Sequence, residues 1–119
     1  MNKCVAIDDD PLFLRLLETY FKEINDFELA GCFSNPVKGA LGIVQLKPDI
    51  LLLDYEMPYI DGFEMLSMIK DKPKVVVISG HLKDPEIKKI PADRFVSKAS
   101  LKTAEQLREI LLEVLTDVA

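Results

Sequence analysis

Three aspartates stand in a row at Asp8, Asp9 and Asp10, and a fourth stands at Asp54. A serine and a lysine follow much later, at Ser79 and Lys98. Each group comes at or just past the end of a short, mostly apolar stretch: 4–7, 50–53, 74–78 and 94–96. Carboxylates packed within a few ångströms cannot all ionise comfortably without a cation. Oxygen ligands with no His or Cys among them select a hard divalent ion, Mg²⁺ or Mn²⁺, over Zn²⁺. Mg²⁺ keeps several waters and shares a phosphate readily. A hydroxyl and an ammonium opposite it would supply donors for a tri-anionic phosphoryl group. One aspartate could then act as a nucleophile and form an acyl phosphate. All of this requires that residues far apart in the chain meet at one place.

The elements that could bring them together alternate along the chain as five strand–helix units. The first strand, 4–7, leads into a helical period over 11–24, with Asp10 as cap and Pro11 at the first helical position. A β-compatible stretch, 27–33, leads into a helix that Asn35-Pro36 opens and that runs to about residue 46. The strand at 50–53 is apolar without alternation, which predicts cover on both faces. Asp61-Gly62 begins a helix to about residue 70, and 74–78 is the fourth strand. Asp84-Pro85 starts a short helix to about residue 90, and 94–96 is the fifth strand. Ser100 is read as the cap of a last helix with apolar positions 101, 104, 107, 111, 114, 115 and 118. Strands covered on both faces and separated by helices imply an α/β sandwich with a parallel, doubly wound sheet. Ligands of such sheets sit at the carboxyl ends of the strands. In the flavodoxin-like order 2-1-3-4-5, strands 1 and 3 are neighbours at the switch point, and strands 4 and 5 extend the same rim.

At 119 residues the chain is the size of one domain, read as spanning 1–119. With 49% apolar and 29% charged residues it has the balance of a globular fold and not of a disordered tail. No run of about 18 apolar residues could span a membrane, and no secretory signal is visible. A net charge of −5 argues against a nucleic-acid or anionic-lipid surface. Cys4 and Cys32 are too few for a disulfide framework and are read as two buried, reduced thiols in a cytoplasmic protein. Neither G-x-x-x-x-G-K-[ST] nor G-x-G-x-x-G occurs, which disfavours a nucleotide enzyme. An excised domain and a complete protein look alike in such a sequence.

Five segments, in order, resemble the receiver domain of two-component response regulators. They are Ile7-Asp8-Asp9-Asp10, the run 48–54 ending in Asp54, Met57-Pro58 with Asp61-Gly62, Val77-Ile78-Ser79-Gly80 and Phe95-Val96-Ser97-Lys98. The resemblance implies that Asp54 accepts a phosphoryl group from a phosphohistidine on a sensor histidine kinase or phosphotransfer protein. It implies that Asp9 binds Mg²⁺ (or Mn²⁺) directly, that Asp8 acts through metal-bound water, and that the backbone carbonyl of Glu56 is a further ligand beside Asp54. Ser79 matches the switch hydroxyl, Lys98 the lysine that pairs with the phosphoryl charge, and Phe95 the aromatic that moves inward. The implied consequence is a remodelled face for an output domain or downstream protein, with no direct nucleic-acid or membrane binding by this domain and with homodimerisation left open.

The sequence also departs from the family. Gly80 stands where alanine is common, and Phe95 lacks the hydroxyl of the usual tyrosine. Ala99 stands where many members have proline, and a cis bond there would cost about 3 kcal/mol without it. The stretch from 79 to 98 is short, with Pro85 and Pro91 bracketing little more than a turn. Glu56 and His81 occupy loop positions that tend to influence phosphoryl lifetime.

Blander readings stand beside these. Asp10 is a helix cap, His81 an exposed loop residue, Met57, Met65 and Met68 are filling, and 83–89 is a solvated face. Two other functions are compatible with parts of the pattern. One is an interaction module that keeps the fold without using the phosphate. The other is a Mg²⁺ phosphohydrolase of the haloacid dehalogenase type. Pro11 and Leu12 break that family's pattern after Asp10, and no cap domain is present to hold a substrate. The expectation is a switch that catalyses only its own phosphorylation and slow dephosphorylation.

Overall fold

The computed structural model describes residues 1–56, 67, 69–80 and 82–116. Five strands run in chain order as β1 (Asn2–Ile7), β2 (Phe27–Phe33), β3 (Ile50–Asp54), β4 (Lys74–Ser79) and β5 (Arg94–Ser97). They form one sheet of order β2-β1-β3-β4-β5, and every pairing is parallel. Helices with described bounds are α1 (Pro11–Lys22), α2 (Pro36–Leu46) and α3 (Ala104–Thr116), with 3₁₀ turns at Pro85–Lys89 and Lys98–Ser100.

The absence of alternation in the strands has a direct cause. Successive side chains point to opposite faces, and both faces are dry. Cys4, Ala6, Ile50, Leu52, Val76, Ile78 and Val96 pack with α1 and α3 on one face. Val5, Ile7, Leu51, Leu53, Val75 and Val77 pack on the other with Ile43 of α2 and with Ile87 and Ile90. Gly39 lets α2 lie close to β1, since a Cβ there would stand 2.4 Å from Ile7 Cδ1.

The expected starts of α1 and α2 hold. Asp10 Oδ1 accepts the Leu12 N–H at 3.0 Å, and Asn35 Oδ1 accepts the Val37 N–H at 2.8 Å, each ahead of a proline. The helix α2 ends at Lys47, whose φ of 49° is left-handed, and Pro48 prevents continuation.

Three expectations need correction. The last helix begins at Ala104 and is not capped by Ser100. Thr103 Oγ1 accepts the Gln106 N–H at 3.1 Å, and Gln106 Oε1 accepts the Thr103 N–H at 3.2 Å, a reciprocal capping box. The short helix before β5 is a 3₁₀ turn, with bonds from Ile87 N–H to Asp84 O and from Ile90 N–H to Ile87 O. Pro91 disfavours α geometry at Ile90, and five residues allow only the tighter i→i+3 pattern. Cys4 is buried but Cys32 is only half-buried, on the edge strand, and both thiols are free. Burial pushes them up to about 12 and about 11, so neither is a thiolate at neutral pH. His81, Met57, Met65, Met68 and most of the helix expected from Asp61-Gly62 lie outside the described residues.

Candidate functional site

The sheet order decides which strand ends meet. Ile7 lies beside Leu53, Asp54 beside Ile78, and Ser79 beside Ser97. The residues that continue β1, end β3 and β4, and follow β5 therefore share one rim. Among the described residues the buried polar or charged side chains are Asp8 (2% exposed), Asp54 (3%) and Ser79 (0%), three of the residues selected by chemistry from the sequence. Asp9 is exposed. Asp10 has the capping role assigned to it.

The acidic group is tight. One carboxylate oxygen from each of Asp8, Asp9 and Asp54 lies within 4.8 Å of the others. Asp8 Oδ1 accepts the Asp10 N–H at 2.8 Å, which turns Asp8 toward the rim. Asp8 Oδ2 is buried and pairs with the Lys98 ammonium, whose Nζ stands 3.0 Å away. Burial, and then the negative charge of Asp8, push the Asp54 carboxyl up to about 7. The Glu56 N–H, 3.2 Å from Asp54 Oδ1, and the Lys98 ammonium oppose that shift. Three carboxylates in reach of a common point, with no His or Cys in that group, suit a hard divalent cation such as Mg²⁺.

Lys98 sits in the 3₁₀ turn after β5, with its ammonium 3.6 Å from Asp54 Oδ1. Burial pulls its pKa down, but Asp8 and Asp54 outweigh that and hold it above the usual lysine value. The ammonium also lies 4.8 Å from the centre of the Phe13 ring, a cation–π contact with the first turn of α1. The turn is fastened from below, where the buried Tyr20 hydroxyl donates to Leu101 O at 3.0 Å. With no cis peptide among the described residues, the Lys98–Ala99 bond is trans, and Lys98 reaches both aspartates without the proline usual in the family.

The loop after β3 is bonded to the segment after β4. Ser79 Oγ donates to Glu56 Oε1 at 2.5 Å, and the Gly80 N–H donates to the same oxygen at 3.1 Å. The Tyr55 hydroxyl donates to Asp84 Oδ2 at 3.2 Å. Among the described residues a Cβ on Gly80 would meet nothing nearer than the Glu56 carboxylate at 3.9 Å, room enough for the alanine common at this position. Phe95 is half-buried against the cluster containing Val77, Ile87 and Ile90.

The structure thus brings Asp8, Asp9, Asp54 and Lys98 together, ends β4 with Ser79 on the same rim, and sets Phe95 on the neighbouring strand. Sequence reasoning missed the Phe13 contact, the Tyr20 anchor and the engagement of the Glu56 side chain. Phe13 and Tyr20 read only as core positions in a helical period, and Glu56 only as a loop position that tends to influence phosphoryl lifetime, with no sign that its side chain bonds Ser79.

Residues 4–111 match the family profile described as the response regulator receiver domain, and the chain belongs to that family. Receiver domains are the signalling switches of two-component systems and generally bind Mg²⁺ in an acidic pocket. A similar curated relative is the transcriptional regulatory protein BtsR of Escherichia coli (strain K12), 37% identical over 81 residues. That match covers 66% of this chain and 34% of BtsR, about a third of that relative's length. Among solved structures, the response regulator domain of Thermotoga maritima CheB aligns with a TM-score of 0.84 and 20% identity, covering 100% of this chain and 99% of that one. The signal receiver domain of the putative response regulator NarL from Mycobacterium tuberculosis aligns with a TM-score of 0.83 and 24% identity, covering 96% and 95%. At these identities the two structures speak for the fold.

Proposed function

We propose that the domain is a phosphoacceptor switch in which Asp54 takes a phosphoryl group from a phosphohistidine of a sensor kinase or phosphotransfer protein. The observation that supports this best is the burial of Asp54 against both a second carboxylate and an ammonium. No purely structural role needs that arrangement, because two carboxylates and one lysine leave an unbalanced buried charge. Asp8, Asp9, Asp54 and the backbone carbonyl of Glu56 would hold Mg²⁺, which supplies positive charge to the carboxylates and to the incoming phosphoryl oxygens.

An Asp54 carboxylate oxygen attacks phosphorus, the bond between phosphorus and the imidazole nitrogen breaks, and the histidine, carrying a proton on its other ring nitrogen, leaves as neutral imidazole. Lys98, held by Phe13 and the Tyr20–Leu101 bond, pairs with the charge that accumulates on the phosphoryl group. The Ser79 hydroxyl donates to a phosphoryl oxygen, and Phe95 follows inward toward the cluster it already touches. The two states differ in these contacts, so phosphorylation shifts their populations and changes the face read by an output domain or partner. This reading implies a cytoplasmic site of action, where a kinase would meet it. Among the described residues no helix is long and apolar enough to cross a membrane.

Incubation with radiolabelled acetyl phosphate tests the proposal. Label is expected on the wild type only with Mg²⁺ present, and on Asp54→Asn not at all. Equal labelling of both proteins would remove Asp54 as acceptor.

A further inference from the structure

We propose that the Glu56 carboxylate is a built-in competitor for the phosphoryl group, a latch that holds the donors of the switch until Asp54 is modified. The inference rests on the phosphoacceptor reading and adds to it a residue that sets how readily the site is filled. One oxygen of Glu56 accepts both the hydroxyl of the fully buried Ser79 and the N–H of Gly80. Bonds to an ionised acceptor are short and strong, and the 2.5 Å bond to Ser79 belongs to that class. Those two donors close the end of β4, beside the strand that ends in Asp54. An anionic oxygen with a hydroxyl and an amide pointed at it there is what a phosphoryl oxygen on Asp54 would need.

The loop geometry makes the exchange direct. Glu56 is two residues from Asp54, and its N–H is bonded to Asp54 Oδ1. The Tyr55 N–H is bonded to Ile78 O at 3.1 Å, and the Tyr55 hydroxyl to Asp84. The dipeptide 55–56 therefore ties the segment after β4, at 79, 80 and 84, to the strand that carries Asp54. A phosphoryl group on Asp54 brings two negative charges toward the carboxylate of Glu56. Like charges brought together repel. Glu56 is already exposed, so it can swing into water while Ser79 and Gly80 turn to the new anion. The unmodified state is held by the same donors that the modified state requires, and every phosphoryl donor must displace Glu56 first.

Beryllofluoride, a phosphoryl mimic, reads the competition without turnover. Its affinity at saturating Mg²⁺ can be followed by NMR on the Gly80 amide in the wild type, Glu56→Ala, Glu56→Gln, Ser79→Ala and the Glu56→Ala/Ser79→Ala pair. Glu56→Ala is expected to bind about tenfold tighter than the wild type, the worth of one charge-assisted bond no longer displaced. Glu56→Gln keeps an acceptor oxygen without the charge and is expected to fall between them. With Ser79 removed, the gain from Glu56→Ala is expected to shrink at least threefold, because the latch has lost its stronger donor. Affinity of Glu56→Ala equal to or weaker than that of the wild type overturns the latch. So does an undiminished gain in the Ser79→Ala background, since a bare change of charge would then explain it. A wild type that shows no Asp54-dependent response to beryllofluoride overturns the phosphoacceptor reading itself, and with it the latch.

Discussion

Replacing Asp54 by asparagine should stabilise the fold, and the gain should depend on pH in a defined direction. In the folded chain the Asp54 carboxyl is raised from 3.8 to about 7 by burial and by Asp8. Below about pH 4 the side chain is neutral in both the folded and the unfolded chain, and its stabilising contribution is fully present. As pH rises from there the unfolded chain ionises first, and stability falls until pH passes about 7. At about 1.4 kcal/mol per unit, the raised value corresponds to about 4 kcal/mol lost at pH 8. Part of that strain belongs to Asp8 and persists in the variant, so about 2 kcal/mol of relief is the working figure. For a chain of this size that is a rise in Tm of about 6–10 °C. The assay is thermal unfolding by circular dichroism in EDTA, wild type against Asp54→Asn, at pH 8 and at pH 4.5. The variant should melt well above the wild type at pH 8 and close to it at pH 4.5. An equal or lower Tm at pH 8, or a difference that does not shrink in acid, would refute the reasoning.

Mg²⁺ should raise the Tm of the wild type, by about 1.4 kcal/mol in free energy at ten times its dissociation constant. Asp9→Ala, which removes the exposed carboxylate of the acidic group, should lose most of that gain in the same melting assay. Tyr20→Phe leaves the buried Leu101 carbonyl without its hydroxyl donor. It should cost about 1–2 kcal/mol in urea unfolding and slow Asp54 labelling by loosening the turn that carries Lys98. Gly39→Ala drives a methyl group to within 2.4 Å of Ile7 Cδ1. Despite its better helix propensity it should destabilise by about 1–2 kcal/mol, measured as a lower urea midpoint at unchanged slope.

The two-faced burial of β1, β3 and β4 and the starts of α1 and α2 were readable in the residues themselves, whereas the strand order came only with the family resemblance. Apolar runs of four or five residues ending in aspartate or serine, and Asx-Pro pairs, have local causes. The start of α3 was also written locally, as Thr103-x-x-Gln106, but Ser100 competed with it because its apolar neighbour Leu101 fits the helical period. That leucine is buried under Tyr20 instead. The 3₁₀ form of 85–89 follows from Pro85 at its start and Pro91 just past its end, in a segment of only five residues. Lys98 and Asp54 were legible as chemistry, whereas the ring beneath one and the raised pKa of the other arise only when four strand ends converge. The Glu56 bonds to Ser79 and Gly80 join residues 23 and 24 positions apart across two loops. No periodicity or spacing rule encodes such a contact.

The central claim is that the acyl phosphate forms on Asp54. Borohydride reduces an aspartyl phosphate to homoserine, so treating the phosphodonor-loaded, Mg²⁺-bound protein with borohydride and sequencing its peptides by mass spectrometry reads the acceptor directly. Homoserine at position 54, dependent on both Mg²⁺ and the donor, is the expected result. Homoserine at position 8 or 9, or at none, would contradict it.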